Sequence, residues 1–189
     1  MPVLSLDVEA DQFLNTAIDA LSRGDDWRSA LSQLPVPAYT TDSSGAVTYW
    51  NQACVDFAGR EPRLGKDRWC VTWELYTTTG ERLPHDSCPM AQAIQQKKPI
   101  RGCIAIALRP DGSRRAFKAY PTPFFDEVGR LDGAVNLLID VTNEQSSELA
   151  DQASRCRRLA RATHDGQAAA ILSQMANDYS ASASALSRE

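Results

Sequence analysis

The sequence predicts an α+β fold in which antiparallel strands are flanked by helices at both ends. Three observations carry this. Segments of alternating apolar and polar residues recur between residues 35 and 142, separated by hairpin turn strings. The apolar period switches from 2 to 3.6 after residue 142. A helical stripe of Leu14, Ile18 and Leu21, with Ala10 and Ala17 beside it, precedes the strands. With 189 residues, 43% hydrophobic and 23% charged, the chain can bury one domain-sized core and carry some extra helix.

The first 34 residues hold six acids against two arginines. Their stripe predicts a helix of about four turns, stopped at Ser22-Arg23-Gly24. Asp25 or Asp26 can cap a second short helix carrying Trp27, Ala30, Leu31 and Leu34, which Pro35 and Pro37 end. Val36 to Asp42 and Val47 to Trp50 form a hairpin around Ser43-Ser44-Gly45. A short helix follows over Asn51 to Gly59, then a mixed stretch with an extended piece at Cys70 to Tyr76. Pro89 to Lys97 reads as another short helix, with proline in its first turn. Three longer strands come next: Arg101 to Arg109, Ser113 to Thr122 and Leu131 to Val141. In the last of these, Val135, Leu137, Ile139 and Val141 share one face and Asn136, Leu138 and Asp140 the other. Thr142 and Gln145 make a capping box that opens a helical hairpin turning at His164-Asp165-Gly166, with a fraying end from Ser180.

Composition removes several function classes. The formal net charge of −4 gives no footprint for nucleic acid. No apolar run approaches the length needed to span a bilayer, and the N-terminus lacks the basic start of a signal peptide. Five irregularly spaced cysteines without a C-x-x-C predict reduced thiols and a cytoplasmic location.

The middle of the chain resembles a PAS domain, stand-alone and of bacterial type. Leu34-Pro35-Val36-Pro37, Thr41-Asp42-Ser43-Ser44-Gly45 and Tyr49-Trp50-Asn51 are similar to the family's opening. Leu83-Pro84-His85-Asp86-Ser87-Cys88-Pro89-Met90 looks like bacterial members, and Arg109-Pro110-Asp111-Gly112 resembles the central hairpin. Gly133-Ala134-Val135 with Asp140-Val141-Thr142 resembles the close, where the last strand hands over to a signalling helix. The resemblance implies a five-stranded antiparallel sheet with short helices over one face, closing on an internal pocket. It divides the chain into an N-terminal cap at 1–33, a PAS domain at 34–142 and a C-terminal helical hairpin at 143–189.

Candidate residues follow from position and chemistry. Phe57, Trp69, Trp73, Ile94, Ile104, Ile106, Phe117 and Leu138 are expected to line the pocket. His85 is the candidate ligand for a haem, since haem-binding members carry an axial histidine near that helix. His85 and Cys88 supply only two of the four ligands a structural metal wants, so no metal is predicted. Light-sensing members carry a reactive cysteine where this chain reads Phe57-Ala58-Gly59-Arg60-Glu61-Pro62-Arg63-Leu64, so that photochemistry is excluded. His164 lacks the residues that would follow a phosphoacceptor, and no catalytic constellation is found. Asp140 and Thr142 are the signal-coupling residues. Leu14, Ile18 and Leu21 are the interface of an expected homodimer.

The expected function is a non-enzymatic sensory regulator in signal transduction, with no output domain of its own, acting through ligand-modulated contact with a protein partner. A small molecule in the pocket is the expected input, and no cofactor is required. A haem sensor is the alternative.

Overall fold

The structure, a computed structural model, describes residues 6–22 and 26–187. Arg23 and Gly24 of the expected helix stop, and the candidate cap Asp25, lie outside these residues. Helix α1 spans Leu6–Ser22 and α2 spans Trp27–Ser32. Asp26 caps α2, its carboxylate accepting from Ser29 N at 3.3 Å. Strands β1 (Ala38–Asp42) and β2 (Val47–Trp50) form the expected hairpin, and α3 follows at Gln52–Ala58. After a long loop come β3 (Glu74–Tyr76), β4 (Arg82–Leu83), a 3-10 turn at His85–Ser87, and α4 at Pro89–Gln96. Strands β5 (Cys103–Leu108), β6 (Arg114–Ala119), β7 (Thr122–Phe125) and β8 (Leu131–Asp140) complete the sheet. The hairpin α5 (Thr142–Ala162) and α6 (Gly166–Leu186) ends the chain.

The sheet is antiparallel throughout, in the order β2-β1-β8-β6-β5-β3-β4, with β7 also on β8. Ala119 pairs with Leu138, and Thr122 with Val135. Strands β6 and β7 are thus two halves of one ribbon, interrupted near Pro121, which lacks the N–H a ladder needs. The single strand expected over Ser113 to Thr122 is corrected to this broken pair. Five ribbons form the main sheet, and the short β3–β4 hairpin extends it past β5.

Both sheet faces are covered. The inner face buries Tyr39, Val47, Ala105, Ala107, Phe117, Ala119, Ala134 and Leu138 against Cys54 and Phe57 of α3 and Met90, Ala91 and Ile94 of α4. The outer face buries Ala38, Ile106, Ala116, Val135, Leu137 and Ile139 with Ala10, Leu14 and Ala17 of α1, Leu31 of α2 and Leu186 of α6. The expected split of β8 between its two faces is what the structure shows. The frayed end expected from Ser180 is instead helix to Leu186, because Ala183 and Leu186 are buried.

Asn51 fastens three elements from a position only 2% exposed. Its Oδ1 accepts from Ala38 N at 3.0 Å and Cys54 N at 3.3 Å. Its Nδ2 donates to Leu31 O at 3.0 Å and Val36 O at 2.9 Å. One side chain therefore caps α3, holds the end of α2 and sets the start of β1. At the other end of α3, Gly59 adopts φ +66° as the left-handed cap, where a Cβ would meet Arg109 Nε at 2.7 Å. Among the described residues no helix is long and apolar enough to cross a membrane.

Candidate functional site

Four expected pocket residues, Phe57, Ile94, Phe117 and Leu138, do meet in the inner core. They pack there as part of one buried cluster. Phe57 and Phe117 pack edge to face with centroids 5.6 Å apart. Tyr39, fully buried beside them, donates its hydroxyl to Trp69 O at 3.0 Å and accepts from Asn136 Nδ2 at 3.0 Å. Burial holds its phenol well above the ordinary range. Cys54 and Cys88 are buried in the same cluster, and burial pushes both thiols up to about 12. They are packing groups with almost no thiolate at neutral pH.

Ile104 and Ile106 are corrected. Ala105 sits directly opposite Phe117 in the ladder, and the small alanine leaves room for the ring. Alternation then sends both isoleucines to the outer face, where Ile106 joins the α1 cluster. Trp69 packs partly buried against the inner core, whereas Trp73 is 55% exposed.

Beside the filled core lies an open cleft of about 890 Å³ between the loop after α3 and the β4–α4 connection. Arg60, Asp67, Trp69, Trp73, Arg82 and His85 are among its lining residues. Asp67, 9% exposed, pairs with Arg60 and accepts from Arg63 N at 3.0 Å and Arg63 Nη2 at 3.1 Å. Burial alone would raise its carboxyl, but the Arg63 N–H and the Arg60 guanidinium outweigh it and hold the group below the usual carboxylate range. Arg60 also donates to Val71 O and Thr72 O at 3.3 and 3.2 Å, tying the loop to its own ion pair. Trp69 is held at φ +68°, a left-handed conformation costly for a tryptophan. Its N–H reaches Gly45 O at 2.7 Å and its carbonyl takes the Tyr39 hydroxyl. Its ring fills the space where any Cβ on Gly45 would stand.

His85 lines the same cleft with its Nε2 covered and without a hydrogen-bond partner. Burial, helped by Arg60, lowers its pKa, so the imidazole is neutral at pH 7. These surroundings do not fit a haem. Nε2 has no open surface for an iron, and the flat apolar slot a macrocycle needs is taken by Tyr39, Phe57 and Phe117. Among the described residues no group of three or more His, Cys, Asp or Glu could hold a metal ion.

The strand–helix junction is built on Asp140 and Thr142. Asp140 Oδ1 accepts from Thr142 N at 2.9 Å and Thr142 Oγ1 at 2.5 Å, while Oδ2 takes Arg115 Nη1 at 3.3 Å. Thr142 Oγ1 in turn accepts from Ala116 N of β6 at 3.0 Å. The capping box is corrected: α5 begins at Thr142 with Val141 at the cap, and Gln145 donates to Glu148. Asp140 already supplies the first acceptor, so the Thr142 hydroxyl is free to bind the sheet.

The expected interface stripe is used within the chain. Leu14 is buried on the sheet, and Ile18 and Leu21 are half-buried on the rim of a second groove of about 570 Å³. The hairpin instead exposes Leu159, Ile171 and Met175. Sequence reading did not single out Asn136 as the partner of Tyr39 or Asp67 as the hub of the cleft. The i,i+4 spacing of Arg63 and Asp67 was the available signal for the second.

A family model described as the PAS fold matches residues 31–146. Among solved structures, an RsLOV d2 variant is 13% identical with a TM-score of 0.50, covering 86% of this chain and 94% of that one. The LOV protein of Rhodobacter sphaeroides is 12% identical with a TM-score of 0.47, covering 85% and 92%. The PAS domain of Bordetella pertussis BvgS is 20% identical with a TM-score of 0.41, covering 60% and 81%. No curated protein matches the chain.

Proposed function

The chain belongs to the PAS family, a family of sensory signalling domains, and on that premise we propose that it is a non-enzymatic regulator whose output is contact with another protein. The carrying observation is the junction. One hydroxyl, Thr142 Oγ1, bonds β6 and the Asp140 carboxylate while its own residue starts α5. A shift of β6 against β8 must therefore change the first turn of α5, which is the coupling a sensor needs. The test is hydrogen exchange on Asp140→Ala. Amides in the first turns of α5 lose protection while the inner core keeps its own. Unchanged protection in α5 overturns the reading.

The contact surface we assign to a second copy is the outward face of α5. Glu144, Glu148, Asp151, Arg155 and Arg158 follow at i, i+4, i+7, i+11 and i+14, all exposed. This stripe is acidic in its first half and basic in its second. Laid antiparallel on a second copy, Glu148 faces Arg158 and Asp151 faces Arg155, twice over by symmetry. Leu159, exposed at the end of the stripe, adds apolar area. Sedimentation equilibrium tests this: a dimer that weakens with salt and is lost in Arg155→Glu/Arg158→Glu supports it, and a monomer at tens of micromolar overturns it.

A further inference from the structure

The cleft between the loop after α3 and the β4–α4 connection is built to take a ligand of one chemical kind. We propose that it binds a planar aromatic carboxylate of one or two fused rings, with the ring on Trp73 and the carboxylate between Arg63 and Arg82. The inference rests on the sensor reading only for what binding would do, not for the binding itself.

Size comes first. About 890 Å³ lies within the range of small-molecule sites, whereas the inner core is filled by its own rings. Aromaticity comes next. Trp73 is 55% exposed and lines this cleft, whereas the neighbouring Trp69 is partly buried against the inner core. An exposed indole is a stacking surface that a flat ring can cover. The loop that presents it is anchored by hydrogen bonds. Arg60 pins Val71 O and Thr72 O from below, and the neighbouring Trp69 is locked in its left-handed conformation between Gly45 and Tyr39.

Charge decides the rest. The lining holds five cations, Arg60, Arg63, Lys66, Arg68 and Arg82, and four acids, Glu61, Asp67, Glu74 and Asp86. One excess positive charge suits a monoanion and not a polyphosphate. Asp67 is already saturated by Arg60 and Arg63 and offers nothing to a ligand. Arg63 spends Nε and Nη2 on it and keeps Nη1, with its side chain 69% exposed. Arg82 holds Glu74 by one nitrogen at 3.4 Å and is 73% exposed. Two guanidinium groups with free donors match a carboxylate's paired acceptor oxygens. A cationic ring compound would meet the same two groups as repulsion.

The experiment is calorimetric titration of the full chain with 2-naphthoate and with its uncharged counterpart 2-naphthamide. Saturable 2-naphthoate binding is expected, at least about tenfold tighter than the amide. Trp73→Ala and Arg82→Gln are exposed changes, and circular dichroism and thermal midpoint confirm that each variant folds. Each is expected to weaken 2-naphthoate by about tenfold. No saturable binding up to about 1 mM, equal binding of the amide, or indifference to both variants overturns the proposal. Hydrogen exchange on the bound protein separates it from the sensor reading. Binding without any change in α5 overturns signalling through the junction and leaves the site standing. An α5 response to Asp140→Ala without naphthoate binding overturns the site alone.

Discussion

Thr142→Val isolates the hydroxyl on which the junction turns. Valine has nearly the same shape as threonine, so what changes is one oxygen. That oxygen accepts the Ala116 N–H at 3.0 Å and donates to Asp140 at 2.5 Å, from a residue 8% exposed. Leaving a buried backbone N–H without a partner costs about 1–3 kcal/mol. The lost bond to a half-exposed carboxylate, discounted for solvent, adds about 0.5–1 kcal/mol. The expected total is about 1.5–4 kcal/mol of unfolding free energy, of which Thr142→Ser recovers most because it restores both bonds. Urea unfolding followed by circular dichroism reads it as a lower midpoint with an unchanged slope. A valine variant within about 0.5 kcal/mol of the parent, or a serine variant as damaged as the valine one, refutes the assignment of the junction to this hydroxyl.

Other outcomes follow from the same geometry. Asn51→Ala removes a helix cap and leaves Ala38 N and Val36 O without a partner, so urea unfolding should show a loss of about 2–5 kcal/mol. Gly59→Ala puts a Cβ against Arg109 in a left-handed position and should cost roughly 1–3 kcal/mol, read by thermal unfolding. His85 has a folded pKa below its unfolded value of 6.5, so the unfolded chain binds more protons just under that pH. Its contribution to stability is level above pH 6.5 and falls as pH drops below it. His85→Gln should flatten that part of the stability–pH curve, and an identical curve would show that His85 is not the group responsible.

Much of the fold was legible because its signals are local. The hairpin string at Asp42 to Gly45 is held by Asp42 Oδ1 accepting from Ser44 N and Ala46 N, contacts within four residues. The turn at His164-Asp165-Gly166 is equally local, with Asp165 Oδ1 accepting from Gln167 N and Ala168 N. The division of β8 into two faces was readable because both of its apolar sets lie on one strand. The site was less legible. Residues 104–107 read Ile-Ala-Ile-Ala, and alternation separates the two sets without saying which turns inward. Asp67 also draws on Arg60, which a folded loop brings together with the carbonyls of Val71 and Thr72.

The sequence by itself determined the hairpin turns, the flanking helices and the family, because each depends on residues a few positions apart. Tertiary structure decided which strand face became the core, since that depends on fitting Phe117 over Ala105 and Phe57 over both sheet and helix. It also decided that α1 covers its own sheet and that Phe57, Ile94, Phe117 and Leu138 pack together in the inner core. Those outcomes turn on how side-chain volumes from distant segments sum in one space. No single segment encodes that sum, which is why the open cleft beside the sheet was not legible in the sequence.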